Sequence, residues 1–387
     1  MSNIFLTSDW HLGHDREFIW KIRGFASVED MNEAIIERHN AQVKEDDDVY
    51  VLGDVCLGDI NNINYIKSCN SISVSGINEF GHKKMNQDTL LIERNVNGIF
   101  KEKLMDYIVR AVDKERQVRI FAITSRELVE KAREIHNTSP VATAALGRLL
   151  SAGAMMGQML KGEEELLTIK MKGDGKINGV TVLADNSAKV KGYVGNPSVM
   201  LPPNYAGKLD VGAAIGYGEL TVIKDMGLKE PYISKVPLAT SEVAEDLTYY
   251  FASSEQTPSA VGLGVLMSKD NHVREAGGFI VQMMPDAKEE TVSKIEENLS
   301  KITSVTDILK EGKTPEDLVK AVMGDIEVEF TDRIEAKYEC NCSKERVMRV
   351  LATLNKKDLA DLIAEGEDIE VNCDLCNSKY VFKTDEL

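Results

Sequence analysis

The chain has 387 residues, 43% of them apolar, and a formal net charge of −17. That length predicts two or three domains, each with its own core, and the acidic balance argues against nucleic acid and anionic membrane surfaces as partners. No run approaches the roughly 18 apolar residues that span a bilayer, and the opening MSNIFLTSDW has no basic region followed by an apolar stretch, so the expected location is cytoplasmic and no membrane contact is expected.

Residues 1–65 read as the start of an α/β unit. Asn3 to Thr7 is a short apolar strand, Val28 to Val43 has helical spacing with Met31, Ala34, Ile35 and Ile36 on one face, and Val49-Tyr50-Val51-Leu52 is a second strand closed by Gly53-Asp54. Residues 66–104 fit no element well, apart from weak alternation over Ser71 to Phe80, and read as a junction.

From Met105 the pattern sharpens. Tyr107 to Val112 and Val118 to Ala122 predict a hairpin around Lys114-Glu115, and Ser125 to His136 predicts a helix. Ser139-Pro140 supplies an N-cap with proline at the first helical position. The helix it opens, to about Leu160, is rich in Ala, Leu, Met and Gly and is expected to be buried on several sides, its Met155, Met156 and Met159 read as core rather than as a client surface. A β-meander over Leu167 to Tyr193 turns at Gly173-Asp174-Gly175 and Asp185-Asn186. Strands at Glu219 to Ile223, Val261 to Met267 and Gly277 to Met283, with a helix at Ser241 to Ser253, complete a core domain over 105–285. Antiparallel strands mixed with helices define the class as α+β. Gly212, Gly216 and Gly218 do not stand between a strand and a helix, so they do not form a dinucleotide site.

After Pro285 the composition changes. Glu289 to Ile302 and Pro315 to Met323 are short, charged amphipathic helices joined by polar segments, read as a mobile linker over 286–333. The remaining tail, 334–387, is only about fifty residues, below the size that a hydrophobic core alone usually sustains.

That tail holds four of the six cysteines, as Cys340-Asn341-Cys342 and Cys373-Asp374-Leu375-Cys376, thirty residues apart. Paired thiols in a chain with no secretion signal read as a metal site or a redox centre. Four thiolates with no histidine in the tail make an all-sulfur, closed site, so the expected ion is zinc in a structural role with no open position for catalysis. Such a site contributes about 10–16 kcal/mol, against about 3–5 kcal/mol from a core this small. Loss of the ion is therefore expected to unfold the tail. Thiolates are also the oxidisable form of cysteine, so the residues alone allow either a plain structural knuckle or a switch. Cys56 and Cys69 stand alone and read as packed or free thiols.

Several long stretches are shared with a known family: Ala144-Ala145-Leu146-Gly147-Arg148, Gly192-Tyr193-Val194 with Asn196-Pro197, Gly207-Lys208-Leu209-Asp210-Val211-Gly212, Ala244-Glu245-Asp246-Leu247-Thr248-Tyr249-Tyr250-Phe251, Ser254-Glu255-Gln256-Thr257-Pro258-Ser259-Ala260, and the C-x-C and C-x-x-C pairs. From Met105 to Leu387 the chain resembles the redox-regulated heat-shock holdases, the HslO chaperonin family. The resemblance implies an ATP-independent chaperone rather than an enzyme, inactive while Cys340, Cys342, Cys373 and Cys376 hold zinc. It implies disulfides Cys340–Cys342 and Cys373–Cys376 on oxidation, zinc release, unfolding of linker and tail, formation of a homodimer, and capture of unfolding client proteins.

Residues 1–65 resemble a different family, the calcineurin-like metallophosphoesterases. Asp9-Trp10-His11 matches its first motif and Gly53-Asp54 its second, which makes Asp9, His11 and Asp54 vestigial metal candidates, with His14 a neighbour. The third motif is damaged at Gly76-Ile77-Asn78-Glu79, where its histidine is missing, so a partial fragment is expected. A phosphodiesterase activity from this fragment and a zinc-dependent nucleic-acid module are the alternatives to the holdase.

Overall fold

The computed structural model describes residues 4–8, 21, 24–42, 48–52, 71–75, 106–162, 164–205, 207–353 and 368–383. The chain divides into two compact units, Met1–Leu104 and Met105–Leu387.

In the first unit β1 (Ile4–Ser8), β2 (Asp48–Leu52) and β3 (Ser71–Ser75) form a parallel sheet in that order, with α1 (Val28–Gln42) lying between β1 and β2 in the chain. Parallel neighbours need a crossover, which the helix provides. Ser27 opens α1 by accepting the Asp30 N–H at 3.1 Å, while the Asp30 carboxylate accepts the Ala26 N–H at 3.1 Å. The sheet thus runs past residue 65: Ser71 to Ser75, with only weak alternation, pairs along its whole length with β2.

The second unit is built on two mainly antiparallel sheets. One has the order β10-β9-β6-β7-β8-β14, the other β11-β12-β5-β4-β13. The strands of the first are β6 (Leu166–Gly173), β7 (Val180–Asp185), β8 (Lys189–Val194), β9 (Gly218–Asp225), β10 (Tyr232–Pro237) and β14 (Lys337–Tyr338). The second contains β4 (Tyr107–Asp113), β5 (Val118–Thr124), β11 (Ser259–Met267), β12 (Val273–Met283) and β13 (Val328–Glu335). Helices α2 (Arg126–His136), α3 (Pro140–Gly157), α4 (Val211–Ile215) and α5 (Val243–Ser253) accompany them.

Helix α3 packs against strands of both sheets, and sixteen of its eighteen residues are buried. Its start follows from its sequence: Ser139 Oγ accepts the Ala142 N–H at 3.4 Å and Pro140 occupies the first turn, where an N–H has no helical partner. Its end approaches β7 so closely that a Cβ at Gly157 would lie 2.3 Å from the Asp185 carbonyl oxygen. Met155 and Met156 are core residues. Around α3 one cluster gathers Leu146, Leu149 and Leu150 with Ile169, Val182, Val222, Leu247 and Tyr250.

Residues 286–333 differ from the loose linker the composition suggested. Here α6 (Glu289–Lys301), α7 (Val305–Leu309) and α8 (Pro315–Met323) are seated on the other face of the five-stranded sheet. Ile295, Val305, Leu309, Leu318, Val319, Val322 and Met323 are buried there against Val109, Ala111, Val118, Ile120, Ala122, Phe279 and Val281. Asp317 fixes the start of α8 by accepting the Thr314 N–H at 3.0 Å and the Thr314 hydroxyl at 3.1 Å. The charge that suggested mobility lies on the solvent side of these helices, and a narrow apolar stripe suffices to dock them.

The expected boundary at 333/334 falls inside β13. Strand β13 joins the five-stranded sheet beside β4, and β14, one residue later, joins the six-stranded sheet in parallel with β8. One short stretch therefore ties the two sheets together at the entrance to the cysteine tail.

Candidate metal centre

Among the described residues, the tail carries α9 (Lys344–Leu351) and a hairpin of β15 (Ile369–Asn372) and β16 (Lys379–Phe382). The turn of the hairpin carries Cys373 and Cys376. Its backbone folds back on itself through Cys376 N–H and Asn377 N–H, both donated to the Cys373 carbonyl, at 3.2 and 2.8 Å, and Asn377 adopts a left-handed conformation. Asparagine tolerates that region better than most residues. Cys340 and Cys342 lie on the segment between β14 and α9, whose N-cap Ser343 accepts the Arg346 N–H at 3.2 Å.

All four sulfurs lie within 4.8 Å of one another. The closest approaches join one cysteine from each pair: Cys342 Sγ to Cys376 Sγ at 3.2 Å and Cys340 Sγ to Cys373 Sγ at 3.9 Å. A tetrahedral ion with metal–sulfur bonds of about 2.3 Å needs sulfurs about 3.8 Å apart, so the cluster fits a single ion and the soft donor set suits zinc. Among the described residues these four are the group of metal-ligating side chains close enough to share one ion.

The surroundings set Cys340, Cys373 and Cys376 apart. Burial pushes the Cys340 thiol up to about 12, and burial also raises Cys373. Burial acts on Cys376 in the same direction, but the Ser378 hydroxyl and backbone N–H and the neighbouring thiols outweigh it and bring Cys376 down to about 7. The Tyr380 hydroxyl, 3.0 Å from Cys342 Sγ, is raised to about 12 by that bond.

The cluster is anchored to the core through Tyr338, two residues before Cys340. Its buried hydroxyl lies 2.9 Å from His136 Nε2 and 2.9 Å from the Gly192 carbonyl oxygen, accepts the Gly192 N–H at 3.3 Å, and bonds the Leu375 carbonyl inside the Cys373–Cys376 turn. Asn377 adds a bond to the Ile135 carbonyl at 2.6 Å. Burial keeps His136 below the usual imidazole range. Lys189 to Glu339 (2.7 Å) and Lys191 to Asn341 complete the seam along β8. No local pattern marks this anchor, because its partners stand 202, 146 and 37 residues away in the chain.

Asp9, His11, His14 and Asp54 lie outside the described residues, as do Asn78, Cys56 and Cys69.

Comparison with known proteins gives a consistent result for the second unit. The Hsp33 protein family model matches residues 106–383. The 33 kDa chaperonin of Agathobacter rectalis is 56% identical over 284 residues, covering 73% of this chain and 99% of that protein. That of Lachnoclostridium phytofermentans is 55% identical over 282 residues, covering 73% and 97%. The crystal structure of the 33 kDa chaperonin of Thermotoga maritima superposes with a TM-score of 0.67 at 41% identity, covering 73% of this chain and 96% of that one.

Proposed function

The chain belongs to the Hsp33 family, and from that membership we propose that it is an ATP-independent holdase that is quiescent when reduced and switched on by oxidation. Members of this family are molecular chaperones and not enzymes, and this chain carries the four-cysteine cluster that a metal-dependent, redox-sensitive chaperone requires. The observation that carries the proposal is the position of that cluster. It closes the segment whose helices α6 to α8 cover the apolar face of Val109, Ala111, Ile120 and Val281.

Cys340, Cys342, Cys373 and Cys376 would hold one zinc ion. The ion supplies cross-linking of two chain segments that have little apolar burial of their own. On oxidation each pair would close on itself, Cys340 with Cys342 and Cys373 with Cys376. In each closure two thiols and one hydrogen peroxide give one disulfide and two waters. The four sulfurs then no longer converge, Tyr338 loses the Leu375 turn that it holds, and the segment from 286 onward loses its anchor. Undocking of α6 to α8 bares the sheet face beneath, a surface suited to unfolding proteins. The same exposed surface supports self-association as an oxidised homodimer. The chain's net charge of −17 argues against nucleic acid as a partner. Among the described residues no helix is long and apolar enough to cross a membrane, and we place the protein in the cytoplasm, where thiols are reduced until stress arrives.

A peroxide titration tests the proposal, with zinc release followed by a chromogenic chelator and aggregation of a heat-denatured client followed by light scattering. The two curves should rise together. Equal suppression of aggregation by reduced and oxidised protein would remove the switch.

A metallophosphoesterase activity of residues 1–65 is a second reading. It is favoured by one observation: β1 and β2 are adjacent parallel strands that end just before Asp9 and just before Gly53-Asp54. Manganese-dependent cleavage of a chromogenic phosphodiester, lost in Asp54→Asn, is its expected outcome, and no turnover above that variant ends it.

A further inference from the structure

Strand β13 is an outer strand of the five-stranded sheet, antiparallel to β4 from Val328 opposite Asp113 to Glu335 opposite Tyr107. Beyond the backbone ladder, its side chains add little along most of its length. Glu329, Phe330, Thr331, Asp332 and Arg333 are all exposed. The register shifts by one residue between Phe330 and Asp332. That bulge turns the strand over, so Val328 packs on the cluster beneath α6 to α8 while Ile334, six residues on, packs on the cluster around α3. The side-chain contacts across the pair are polar and at the surface: Asp332 lies 3.8 Å from Arg110, and the Arg333 guanidinium stands 4.1 Å from the centre of the Tyr107 ring. Exposed pairs of this kind hold little.

Strand β4 is the opposite case. Ile108 is buried in the cluster around α3, Val109 and Ala111 in the other, and its second edge is paired with β5. Only Ala336 to Glu339 separate the end of β13 from Cys340. A chain that pulls away from the cysteine cluster therefore draws β13 off its neighbour, while β4 stays in place. What remains is a rigid edge with a row of unpaired N–H and C=O groups, bordered by the apolar face that α6 to α8 leave.

We propose that this edge of β4, Tyr107–Asp113, is a client-binding site that takes an extended segment of an unfolding protein in the place of β13. The inference rests on the redox reading above and specifies how its product binds. The partner is a polypeptide in strand conformation with at least one apolar residue facing the sheet. Strand β13 is its template: a backbone ladder, one apolar residue on each side of the bulge, and tolerance of charge elsewhere. Backbone bonds supply the attachment, so the site accepts chains of unrelated sequence, as a holdase must. An open edge of this kind is a hazard to a resting protein. The chain avoids that hazard by covering the edge with its own removable strand.

Hydrogen exchange of the full chain, read by mass spectrometry on peptides covering 107–113, tests the inference in three states. These are reduced with zinc, oxidised by peroxide, and oxidised with carboxymethylated α-lactalbumin as a soluble unfolded client. A light-scattering assay of client aggregation runs on the same samples. The amides of β4 that face β13 should exchange slowly in the first state, about tenfold or more faster in the second, and slowly again in the third. Continued fast exchange with client bound overturns the proposal, and so does protection that never changes on oxidation. Failure of the oxidised protein to suppress aggregation overturns the redox reading instead. Suppression with β4 still open overturns the edge alone.

Discussion

Helix α3 and the cysteine tail are held by different physics. In α3 sixteen of eighteen residues are buried, among them Leu146, Leu149, Leu150 and Met155. From Cys340 onward, among the described residues, only Leu351 and Phe382 are buried apolar side chains. The core is stabilised by area removed from water, at about 25 cal/mol per Å². The described residues of the tail have almost none of that, and what they bring together is four sulfurs within 4.8 Å. A chemical that acts on thiols therefore reaches one region and leaves the other unchanged. The segment between them, α6 to α8, is packed on the core and runs in sequence into the tail, so in the proposed switch an oxidation in the tail would bare a surface elsewhere.

Removing the metal is the strongest way to break the comparison. Stripping the ion with a chelator, or replacing Cys373 by Ser, should remove about 10–16 kcal/mol of metal-linked stability. The expected result is loss of exchange protection over 337–383, with 140–157 unchanged. A tail that stays compact without metal would show that it has a core of its own. The next largest effect comes from the middle segment. Val319, on the sheet-facing side of α8, is fully buried, and Val319→Asp would place a carboxylate there without a partner, at a cost of about 4–5 kcal/mol. The helices should undock with the metal still bound, and the variant should suppress client aggregation in its reduced form. Metal content by atomic absorption separates this outcome from a collapse of the cysteine site.

Acid separates the two regions by sign. Asp106 is buried and caps α2 by accepting the Leu128 N–H at 2.7 Å. Burial pushes its carboxyl up to about 7, against the lowering effect of the Leu128, Arg126 and Glu127 N–H groups. Its folded value thus lies above the unfolded value near 4. Between those two pH values the native state holds the extra proton, so the contribution to stability is full below about pH 4 and is lost as pH rises through about 7. Three units correspond to about 4 kcal/mol. The tail runs the other way, because its cysteines must lose protons to bind metal. Unfolding followed from pH 5 to 8 should show the core gaining and the tail losing as pH falls. Asp106→Asn should flatten the core's profile and leave the tail's intact.

Much of this contrast could be read in the sequence, for local reasons. The Ser139-Pro140 start, the hairpin around Lys114-Glu115 and the meander turns are short-range signals, and each element stands where its signal placed it. Two close cysteine pairs with no histidine already specified the sulfur cluster. What could not be read was long-range. Strand β10, YISKVP, carries no clean apolar alternation and is recognisable only as the edge strand paired with β9. Strand β13 was hidden by charge, since Glu329, Asp332, Arg333 and Glu335 sit on an outer strand with most of its side chains in solvent. The docking of α6 to α8 depends on an apolar sheet face that joins Phe279 and Val281 to Val109, Ala111 and Ile120, which lie far earlier in the chain. Tyr338 carried no signal at all.

Tyr338 supports the finest test of how the two regions are joined. Its single hydroxyl proton faces two carbonyls, Gly192 in the core and Leu375 in the tail, with His136 Nε2 beside them. When the tail leaves, the proton can remain with Gly192, so opening strands no buried donor. Tyr338→Phe keeps the ring and removes the shared bond, a loss of about 1–2 kcal/mol. Four sulfurs remain, so metal stoichiometry should not change. Where undocking precedes attack by peroxide, metal release at fixed peroxide should quicken by about 5- to 30-fold. The nearby pair Lys189 and Glu339, 2.7 Å apart but half exposed on both sides, makes the control. Lys189→Ala should change the release rate little, since solvent screens an exposed pair. If the two variants release metal at the same rate, the join is a diffuse electrostatic seam and not a buried hydroxyl.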